Sequence, residues 1–255
     1  MSAAAAPVNL IVVGASGRMG GSLLRLLPRF PGLQLHAAVA GPGSASLGRD
    51  SGELAGAPPN GVTITASLEA ALPGAALVLD FSTAAGAAAR VEACSVAGLP
   101  LLLGATGLDP ETAAILDRAA GRIPLMVAPN TSPGATVLHN LVRLAAAALG
   151  DGYQVSILDI HHRAKRDAPS GTALGLGAAV RKGGGDARQA DYASLRGGDA
   201  VGQHDVLFLG EGESLRLSHI ATDRSVFAKG ALQAGLWLTR QAPGRYHMAD
   251  LIGEK

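Results

Sequence analysis

The sequence has few cysteines, few aromatic residues and little charge, and each of these shortages excludes a class of protein. The single cysteine, Cys94, excludes an intramolecular disulfide and a cysteine-based zinc site. The 21 basic and 20 acidic residues give a net charge of +1, which argues against a protein that binds nucleic acid electrostatically. Aromatic residues make up only 3% of the chain, so the core must consist mainly of alanine, leucine, valine and isoleucine. Hydrophobic residues still reach 48%, which excludes a mainly disordered chain.

The sequence also lacks the features of a membrane or secreted protein. The longest stretch without Asp, Glu, Lys or Arg, residues 123–142, is interrupted by Pro124, Pro129 and Pro133, so it does not predict a membrane span. Residues 1–7 contain no basic residue ahead of an apolar stretch, and we therefore expect no signal peptide. Together with the single cysteine, these features predict a soluble cytoplasmic protein that has no membrane partner.

In the first half of the chain, short aliphatic runs alternate with alanine- and leucine-rich segments of helical length. The runs that predict buried strands are residues 10–13, 33–40, 62–65, 77–81, 99–103 and 125–128. The segments between them that predict helices are residues 22–27, 84–97 and 110–120. This alternation indicates repeated βαβ units and a parallel sheet, as in a Rossmann-type nucleotide-binding domain of the α/β class.

The second half of the chain has a different pattern. Its predicted elements are a helix at 135–149, a strand at 154–160, two antiparallel strands at 205–209 and 214–220, and a glycine-rich loop at 181–186. We therefore expect an α/β domain of residues 1–130, to which 225–255 return, and an α+β domain of residues 131–224. The sheet of the second domain is expected to be mixed or antiparallel.

A glycine motif stands between the first predicted strand and the first helix, and it reads Gly14-Ala15-Ser16-Gly17-Arg18-Met19-Gly20. A glycine turn at this place lets backbone N–H groups approach a pyrophosphate, and the start of the helix adds partial positive charge. The G-x-x-G-x-x-G spacing differs from the strict dinucleotide fingerprint, G-x-G-x-x-G. A turn with a purely structural role is therefore an alternative interpretation. Arg18 is equally consistent with a phosphate contact and with a solvated surface arginine.

The densest group of chemically active residues lies between Asp159 and Thr172, where five basic side chains occupy six positions, 161–166. Histidines that titrate near neutral pH deliver protons, and the turn at 169–172 precedes a segment whose free N–H groups would bind an anion. This pattern predicts a site for a small dianion. A solvated basic loop and a nucleic-acid patch are the alternatives, but no aromatic stacking residues accompany the run. We expect no metal, because adjacent histidines rarely face one ion and no carboxylate stands at a ligand spacing.

These residues resemble the 4-hydroxy-tetrahydrodipicolinate reductase (dihydrodipicolinate reductase) family over nearly the whole chain. Its most specific motif is His161-His162-Arg163-x-Lys165-x-Asp167-Ala168-Pro169-Ser170-Gly171-Thr172-Ala173. Further similar segments are residues 17–20, 80–82, 104–107, 128–132, 218–219, 224–230 and 236–238, together with Ala221. The resemblance implies NADH- or NADPH-dependent reduction of a small dicarboxylate, 4-hydroxy-tetrahydrodipicolinate, in lysine and diaminopimelate biosynthesis.

The resemblance also implies the roles of individual residues. His161 would be the general acid/base and Lys165 a proton donor. The substrate carboxylates would be bound by His162, Ser170, Gly171 and Thr172. The nicotinamide nucleotide would be lined by Gly14, Ala15, Ser16, Gly17, Arg18, Met19, Gly104, Ala105, Thr106, Ala128, Pro129, Asn130 and Thr131. The second domain would bind substrate and form the contacts of a homo-oligomer, which is a tetramer in the family.

Two departures from the family pattern affect these expectations. Ala40-Gly41 stand where the family often has an acidic residue that binds the adenosine ribose, so we expect the enzyme to use both NADH and NADPH. The region 182–202 is shorter than the family loop that contributes to subunit contacts. Elsewhere, His139 and His204 are expected to have no companions that suggest chemistry, whereas His219 would either pack or contact substrate.

Two other functions stay open. The chain could be a catalytically inactive, nucleotide-sensing homologue, an interpretation that the Ala40-Gly41 departure favours and the intact His161 and Lys165 oppose. It could also be a Rossmann reductase of another small carboxylic acid, which the turn at 167–172 opposes.

Overall fold

The computed structural model describes residues 6–184 and 189–253. The strands are β1 (Val8–Val13), β2 (Leu33–Val39), β3 (Ile64–Thr65), β4 (Leu77–Asp80), β5 (Leu101–Leu103), β6 (Pro124–Val127), β7 (Gln154–His161), β8 (Ala190–Arg196), β9 (Gly202–Leu209), β10 (Ser214–Ala221) and β11 (Gly244–Tyr246). The helices are α1 (Arg18–Leu26), α2 (Ser51–Leu54), α3 (Leu68–Ala71), α4 (Ala87–Ala97), α5 (Pro110–Ala120), α6 (Pro133–Leu149), α7 (Gly171–Gly184), α8 (Ser225–Leu238) and α9 (Met248–Leu251).

The chain divides into two compact units. The first comprises Met1–Thr131 and Phe227–Lys255, and the second comprises Ser132–Val226. Among the described residues, no helix combines the length and the apolar character needed to cross a membrane.

The first unit is built on a seven-stranded sheet in the order β11-β6-β5-β4-β1-β2-β3, and all of its strand pairs are parallel. This is the Rossmann-type sheet that the sequence predicts. Because β1 pairs with β2 on one side and β4 on the other, the connections change direction beside β1. Ligands of such sheets bind at the carboxyl ends of the strands at this point. The central strands β4 and β5 and most of β1 are buried on both faces, and two hydrophobic clusters cover them.

Local signals in the sequence fix where several helices begin and end. Asp109 accepts a hydrogen bond from Thr112 N at the start of α5, and Ser132 accepts one from Ala135 N at the start of α6. A proline follows each of these caps, which favours the first helical turn. Gly98 ends α4 with a φ of 68°, a conformation that glycine adopts without strain.

Several expected boundaries in the first unit are wrong. Helix α1 begins at Arg18 rather than at residue 22, because the glycine motif itself enters the helix. Strand β3 is only two residues long, and helix α4 begins at Ala87 rather than at residue 84. The short elements α2, α3, β11 and α9 carry too little hydrophobic periodicity to be predicted.

The second unit contains a four-stranded sheet in the order β10-β9-β7-β8. Strands β7 and β8 are parallel and the other pairs are antiparallel, so the sheet is mixed, as expected. Helices α6 and α7 pack on one face, where Leu138 and Leu176 join Ile157, Val206 and Phe208 in a buried cluster.

The glycine-rich segment after α7 was expected to be a loop from residue 181 to residue 186. That expectation is wrong for 181–184, which form the last turn of α7, while 185 and 186 lie outside the described residues. Strand β8 was not predicted, because its mixed polar sequence has no clear alternation. The face of the sheet opposite α6 and α7 carries exposed apolar side chains, among them Leu195 and Ile220, which are 54% and 59% exposed.

Candidate active site

The glycine motif forms a tight turn between β1 and α1. The backbone N–H groups of Gly14 and Ala15 both donate to Val39 O at 2.9 Å, which anchors the turn to β2. Gly14 has a φ of 80°, and a Cβ at this position would lie 2.8 Å from backbone atoms of Phe81 and Ser82. Only glycine therefore fits where the turn meets the end of β4.

The start of α1 has the properties of an anion site. No side chain caps its N-terminus at Gly17, and its first turn contains no acidic residue. The backbone N–H groups there are oriented for an anion, and the helix dipole adds to the attraction. Ser16, Gly17 and Arg18 are exposed, and Met19 is half-buried. These exposed N–H groups are the ones that could hold the pyrophosphate of a dinucleotide.

The neighbouring strands bring the other predicted cofactor residues to the same edge of the sheet. Gly104 follows β5, and its backbone packs so closely on the Phe81 ring that a Cβ would lie 2.3 Å away. Ala105 and Ala128 are buried, and the Thr131 hydroxyl donates to Phe227 O at 2.7 Å. The remaining predicted residues on these loops are Thr106, Pro129 and Asn130. All of them lie at the carboxyl ends of parallel strands, where such a nucleotide binds.

Behind this edge, Asp80 at the end of β4 holds the next loop in place. Its buried carboxylate accepts from Ser82 N at 2.9 Å, from the Ser82 hydroxyl at 2.6 Å and from Arg90 Nε at 2.6 Å. Arg90 also donates to the carbonyls of Thr83 and Ala85, so one guanidinium fixes the whole loop. Sequence reasoning missed Arg90, because it lies on a helix without any recognisable motif.

In the second unit, the predicted catalytic run begins at the end of β7, where Asp159 is fully buried. Its Oδ2 atom accepts from Ser170 N at 3.1 Å and lies 3.0 Å from Arg196 Nη2. Burial opposes the ionisation of Asp159, but hydrogen bonds from Ser194, Arg196 and Ser170 outweigh it and hold its pKa at about 2. Asp159 is therefore a carboxylate at neutral pH.

His161 follows Asp159 on the same face of β7, with 8% of its surface exposed. Its Nδ1 lies 3.3 Å from Asp159 Oδ2, within ion-pair distance but outside hydrogen-bonding geometry. Burial lowers the pKa of His161, the charges of Lys165 and Arg196 lower it further, and Asp159 opposes them. Gly202 faces the ring, and a Cβ there would lie 3.1 Å from His161 Nε2.

Strands β9 and β10 add two histidines to this cluster. His204 pairs in register with Asp159 on β7 and with His219 on β10. Its ring meets that of His161 edge to face at 5.1 Å, and its Nε2 lies 3.3 Å from the Ser170 hydroxyl. Burial lowers the pKa of His204 to about 4, so its imidazole is neutral at pH 7.

The expectation that His204 has no companions is therefore wrong. Its neighbours come from the register of the sheet and not from positions close in sequence. The alternation of His204 with Val206 and Phe208, which are inward-facing, was the available signal. His219 packs beside His204 at 6.3 Å, and its Nε2 lies 3.3 Å from the Ser132 hydroxyl.

The loop after β7 carries the remaining predicted residues. Lys165 Nζ forms a 2.8 Å ion pair with Asp167 Oδ2, and this pairing lowers the pKa of Asp167. Ser170 is only 2% exposed, and its hydroxyl caps α7 by accepting from Ala173 N. Gly171 is exposed at the first turn of α7, while His162 and Thr172 are half-buried. The structure thus brings His161, Lys165 and the start of α7 together within one unit.

The expectation that the site holds no metal rested partly on the absence of a carboxylate at a ligand spacing. This premise is wrong. Potential ligand atoms of Asp159, His161 and His204 lie within 4.8 Å of one another. The guanidinium of Arg196, however, already lies 3.0 Å from the Asp159 carboxylate. A second cation beside it would be repelled in a buried site, so the geometry favours an ion pair over a metal ion.

Comparisons with known proteins point to one family over nearly the whole chain. The family models "Dihydrodipicolinate reductase, N-terminus" and "Dihydrodipicolinate reductase, C-terminus" match residues 8–131 and 134–252. The 4-hydroxy-tetrahydrodipicolinate reductase of Anaeromyxobacter dehalogenans strain 2CP-C is 43% identical over 263 residues, covering 96% of this chain and 97% of that protein. The enzyme of the same name from Thiobacillus denitrificans is 42% identical over 266 residues, covering 97% and 99%.

Solved structures show a similar fold. A dipicolinate-bound dihydrodipicolinate reductase from Paenisporosarcina sp. TG-14 has a TM-score of 0.79 at 21% identity, covering 94% of this chain and 97% of that one. An amine dehydrogenase from Mycobacterium smegmatis has a TM-score of 0.68 at 13% identity, covering 95% of each chain.

Proposed function

The chain belongs to the dihydrodipicolinate reductase family, and on that premise we propose how its residues share the work of the reaction. The protein is an oxidoreductase that reduces 4-hydroxy-tetrahydrodipicolinate with a nicotinamide cofactor, a reaction of lysine and diaminopimelate biosynthesis. The observation that carries the assignment of roles is the position of His161 at the end of β7. Its imidazole lies beside the ionised Asp159, and the loop that follows the strand carries Lys165.

The first unit would hold the cofactor, which we propose to be NADH or NADPH without strong preference. The glycine turn from Gly14 to Met19 and the open start of α1 would bind the pyrophosphate, and the loops at 104–106 and 128–131 would line the rest. Ala40 is buried and Gly41 is exposed at the end of β2, so neither provides a charge for the adenosine ribose or its 2′-phosphate.

The second unit would hold the dicarboxylate substrate. Gly171 and Thr172 would bind one carboxylate at the start of α7, and His162 would contribute a further contact. Ser170 would support this site from behind, because its side chain is buried and already caps the helix. Several hydrogen bonds to a charged group, each contributing roughly 1.5–3 kcal/mol, would account for binding of the dianion.

His161 and Lys165 would supply protons. The bound nicotinamide supplies the hydride, and its addition to a conjugated imine leaves electron density that a positioned acid must protonate. Burial lowers the pKa of His161, whereas substrate carboxylates bound at the start of α7 would raise it. His161 would therefore be protonated most readily with substrate in place. To donate a proton, Lys165 would first break its ion pair with Asp167.

The decisive assay follows nicotinamide oxidation with substrate generated by a coupled synthase. His161→Gln and Lys165→Met should lower kcat by about 10²–10⁴-fold, the usual contribution of a general acid. Fluorescence titration with NADPH should show unchanged nucleotide binding. Arg166→Met removes an exposed charge from the same loop and should leave kcat unchanged. Near-normal turnover in both test variants would reject these roles, and a wild-type chain that binds nucleotide without turnover would indicate the inactive homologue.

The protein would act as a cytoplasmic homo-oligomer, a tetramer if it follows the family. The exposed apolar side chains on the open face of the second unit's sheet, such as Leu195, Leu209 and Ile220, support an interface there. Sedimentation should show an assembly larger than one chain, and Leu195→Asp with Ile220→Asp should reduce it to monomers. A monomeric wild-type protein would contradict this proposal.

A further inference from the structure

A single oxygen atom lies at the centre of the catalytic cluster, by which we mean Asp159, His161, Ser170, Arg196 and His204. Oδ2 of Asp159 is 3.3 Å from His161 Nδ1, 3.1 Å from Ser170 N and 3.0 Å from Arg196 Nη2. This oxygen atom thus contacts the proposed acid, His161, and the guanidinium of Arg196 on β8. It also contacts Ser170, which directly precedes the start of α7, where we propose that the substrate carboxylate binds. Asp159 is fully buried, so these contacts are shielded from solvent.

We propose that Asp159 is a positioning residue that orients the His161 imidazole, stabilises its protonated form and holds the start of α7 in place. This inference rests on the proposed acid role of His161. A carboxylate beside Nδ1 favours a proton on that nitrogen, as in other carboxylate–histidine pairs. Because Nδ1 of His161 is buried, Nε2 is the nitrogen left for the substrate.

Arg196 completes the arrangement from the neighbouring strand. Its guanidinium spans both carboxylate oxygens of Asp159, at 3.0 and 3.3 Å, and donates to Asp167 O at 2.7 Å. The same side chain therefore ties β8 to β7 and to the loop that carries Lys165. Its positive charge keeps Asp159 ionised, so Asp159 acts as a fixed negative charge and not as a proton acceptor.

The charged and titratable groups around His161 come from every neighbouring element. Asp159 lies on its own strand, Arg196 on β8 and neutral His204 on β9, while Lys165 and Asp167 lie in the following loop. Asp159 and Arg196 act on His161 with opposite sign: the carboxylate raises its pKa and the guanidinium lowers it. Neutralising each in turn must shift the titration of His161 in opposite directions.

The other face of the same sheet offers a matched control. Asp205 on β9 is also fully buried, and its carboxylate forms a 2.8 Å ion pair with Arg216 on β10. Asp205→Asn and Arg216→Gln thus break a comparable pair in the same unit without touching the cluster around His161. General damage to the sheet would appear in these variants as well.

The experiment compares Asp159→Asn and Arg196→Gln with the two controls in the intact enzyme. The kcat/KM profile against pH reports the free enzyme, and carbon-13 signals of labelled histidine report His161 directly, assigned through His161→Gln. Asp159→Asn should lower kcat/KM by roughly tenfold or more and shift both the alkaline limb and the His161 titration to lower pH. Arg196→Gln should shift both to higher pH, and the controls should shift neither.

Shifts in the same direction, the absence of any shift, or equal shifts in the controls would overturn the proposal. If Asp159→Asn does not fold, Asp159→Glu takes its place, because it keeps the negative charge but moves it by one methylene group. It should lower kcat/KM while shifting the His161 titration less than Arg196→Gln does, and an unchanged kcat/KM would overturn the positioning role. Failure of the proposed acid role of His161 can be distinguished from failure of the positioning role of Asp159. An unchanged rate in His161→Gln would reject His161 as the acid, whereas opposite shifts of its NMR titration would still support its electrostatic control by Asp159.

Discussion

His204 and His161 meet edge to face with ring centroids 5.1 Å apart, although they lie on different strands and are distant in sequence. The contact arises because β9 runs antiparallel to β7, which places His204 opposite Asp159. His204 also reaches the Ser170 hydroxyl that caps α7. A neutral buried imidazole thus packs against the proposed acid and supports the helix that would bind the substrate.

The first prediction is that the second unit becomes unstable in mild acid because of His204. Burial lowers its folded-state pKa to about 4, so the unfolded chain binds a proton more readily below about pH 6.5. The stabilisation is therefore present above about pH 6.5 and is lost as the pH falls towards 4. A fully shifted histidine contributes a slope of about 1.4 kcal/mol per pH unit to the free energy of unfolding.

His204→Gln removes the titration but keeps a group that can hydrogen-bond to Ser170, so it should reduce this slope. Urea unfolding at a series of pH values, followed by the labelled histidine signals of the second unit, measures it. His36→Gln is the control, because His36 lies on β2 in the first unit and bonds to the carbonyls of Ala71 and Pro73. An equal slope in wild type and His204→Gln would contradict the prediction.

The inner strands of the first unit's sheet could be predicted from sequence because they are buried on both faces, whereas the edge strand β11 was missed. Continuous aliphatic runs such as Ile11–Val13 and Leu101–Leu103 mark such strands, and glycine motifs mark the turns that follow them. Strand β8 could not be found in this way, since it lies at the edge of a half-exposed sheet. Its polar residues are explained only by its neighbour, because Arg196 pairs across the strands with Asp159.

In the catalytic cluster, too, some residues could be predicted from the sequence and others could not. The residues that form one continuous motif, His161 to Thr172, were recognised together. The residues that hold them, Asp159 excepted, come from other strands, and only His219 among them lies in a segment that resembles the family: Arg196, His204 and His219. Their contribution depends on strand register, which a single sequence does not determine without its partner strands.

The second prediction concerns Arg90, which braces the loop after β4. Arg90→Gln should raise the dissociation constant for NADPH by about tenfold, because the hydrogen bonds of the guanidinium to Asp80 and to the loop carbonyls of Thr83 and Ala85 are lost. The KM for substrate should change much less. Arg245→Gln removes an exposed ion pair with Asp117 in the same unit and serves as the control. Unchanged nucleotide affinity in Arg90→Gln would show that the loop holds its shape without this brace.

The third prediction separates the roles of Thr172 and Ser170. Thr172→Val keeps the shape of the side chain but removes the hydroxyl, and should raise the KM for the dicarboxylate by about ten- to a hundredfold. Ser170→Ala removes a helix cap, and should lower the free energy of unfolding by about 1 kcal/mol. Steady-state kinetics and urea unfolding of both variants measure the two effects. A Thr172→Val enzyme with unchanged KM but weakened nucleotide binding would show that Thr172 contacts the nucleotide and not the substrate.

The last prediction is that the wild-type enzyme discriminates between NADH and NADPH by less than about tenfold. Specificity requires a group that favours one cofactor or penalises the other, and the end of β2 carries neither an acid nor a base. A side chain can be added there, because nothing lies within 4 Å of the position that a Cβ on Gly41 would occupy. Arg18 and Arg49 are exposed, so any residual bias should favour NADPH.

Gly41→Asp should therefore favour NADH, since its carboxylate would bond the ribose hydroxyls and repel a 2′-phosphate. Gly41→Arg should favour NADPH through a bidentate phosphate contact. Values of kcat/KM for both cofactors at one ionic strength measure the outcome, and the ratio should move in opposite directions by about tenfold or more. A wild-type preference beyond about a hundredfold, or about 2.7 kcal/mol, would require a discriminating group elsewhere in the first unit. Equal ratios in both variants would show that the ribose does not reach the end of β2.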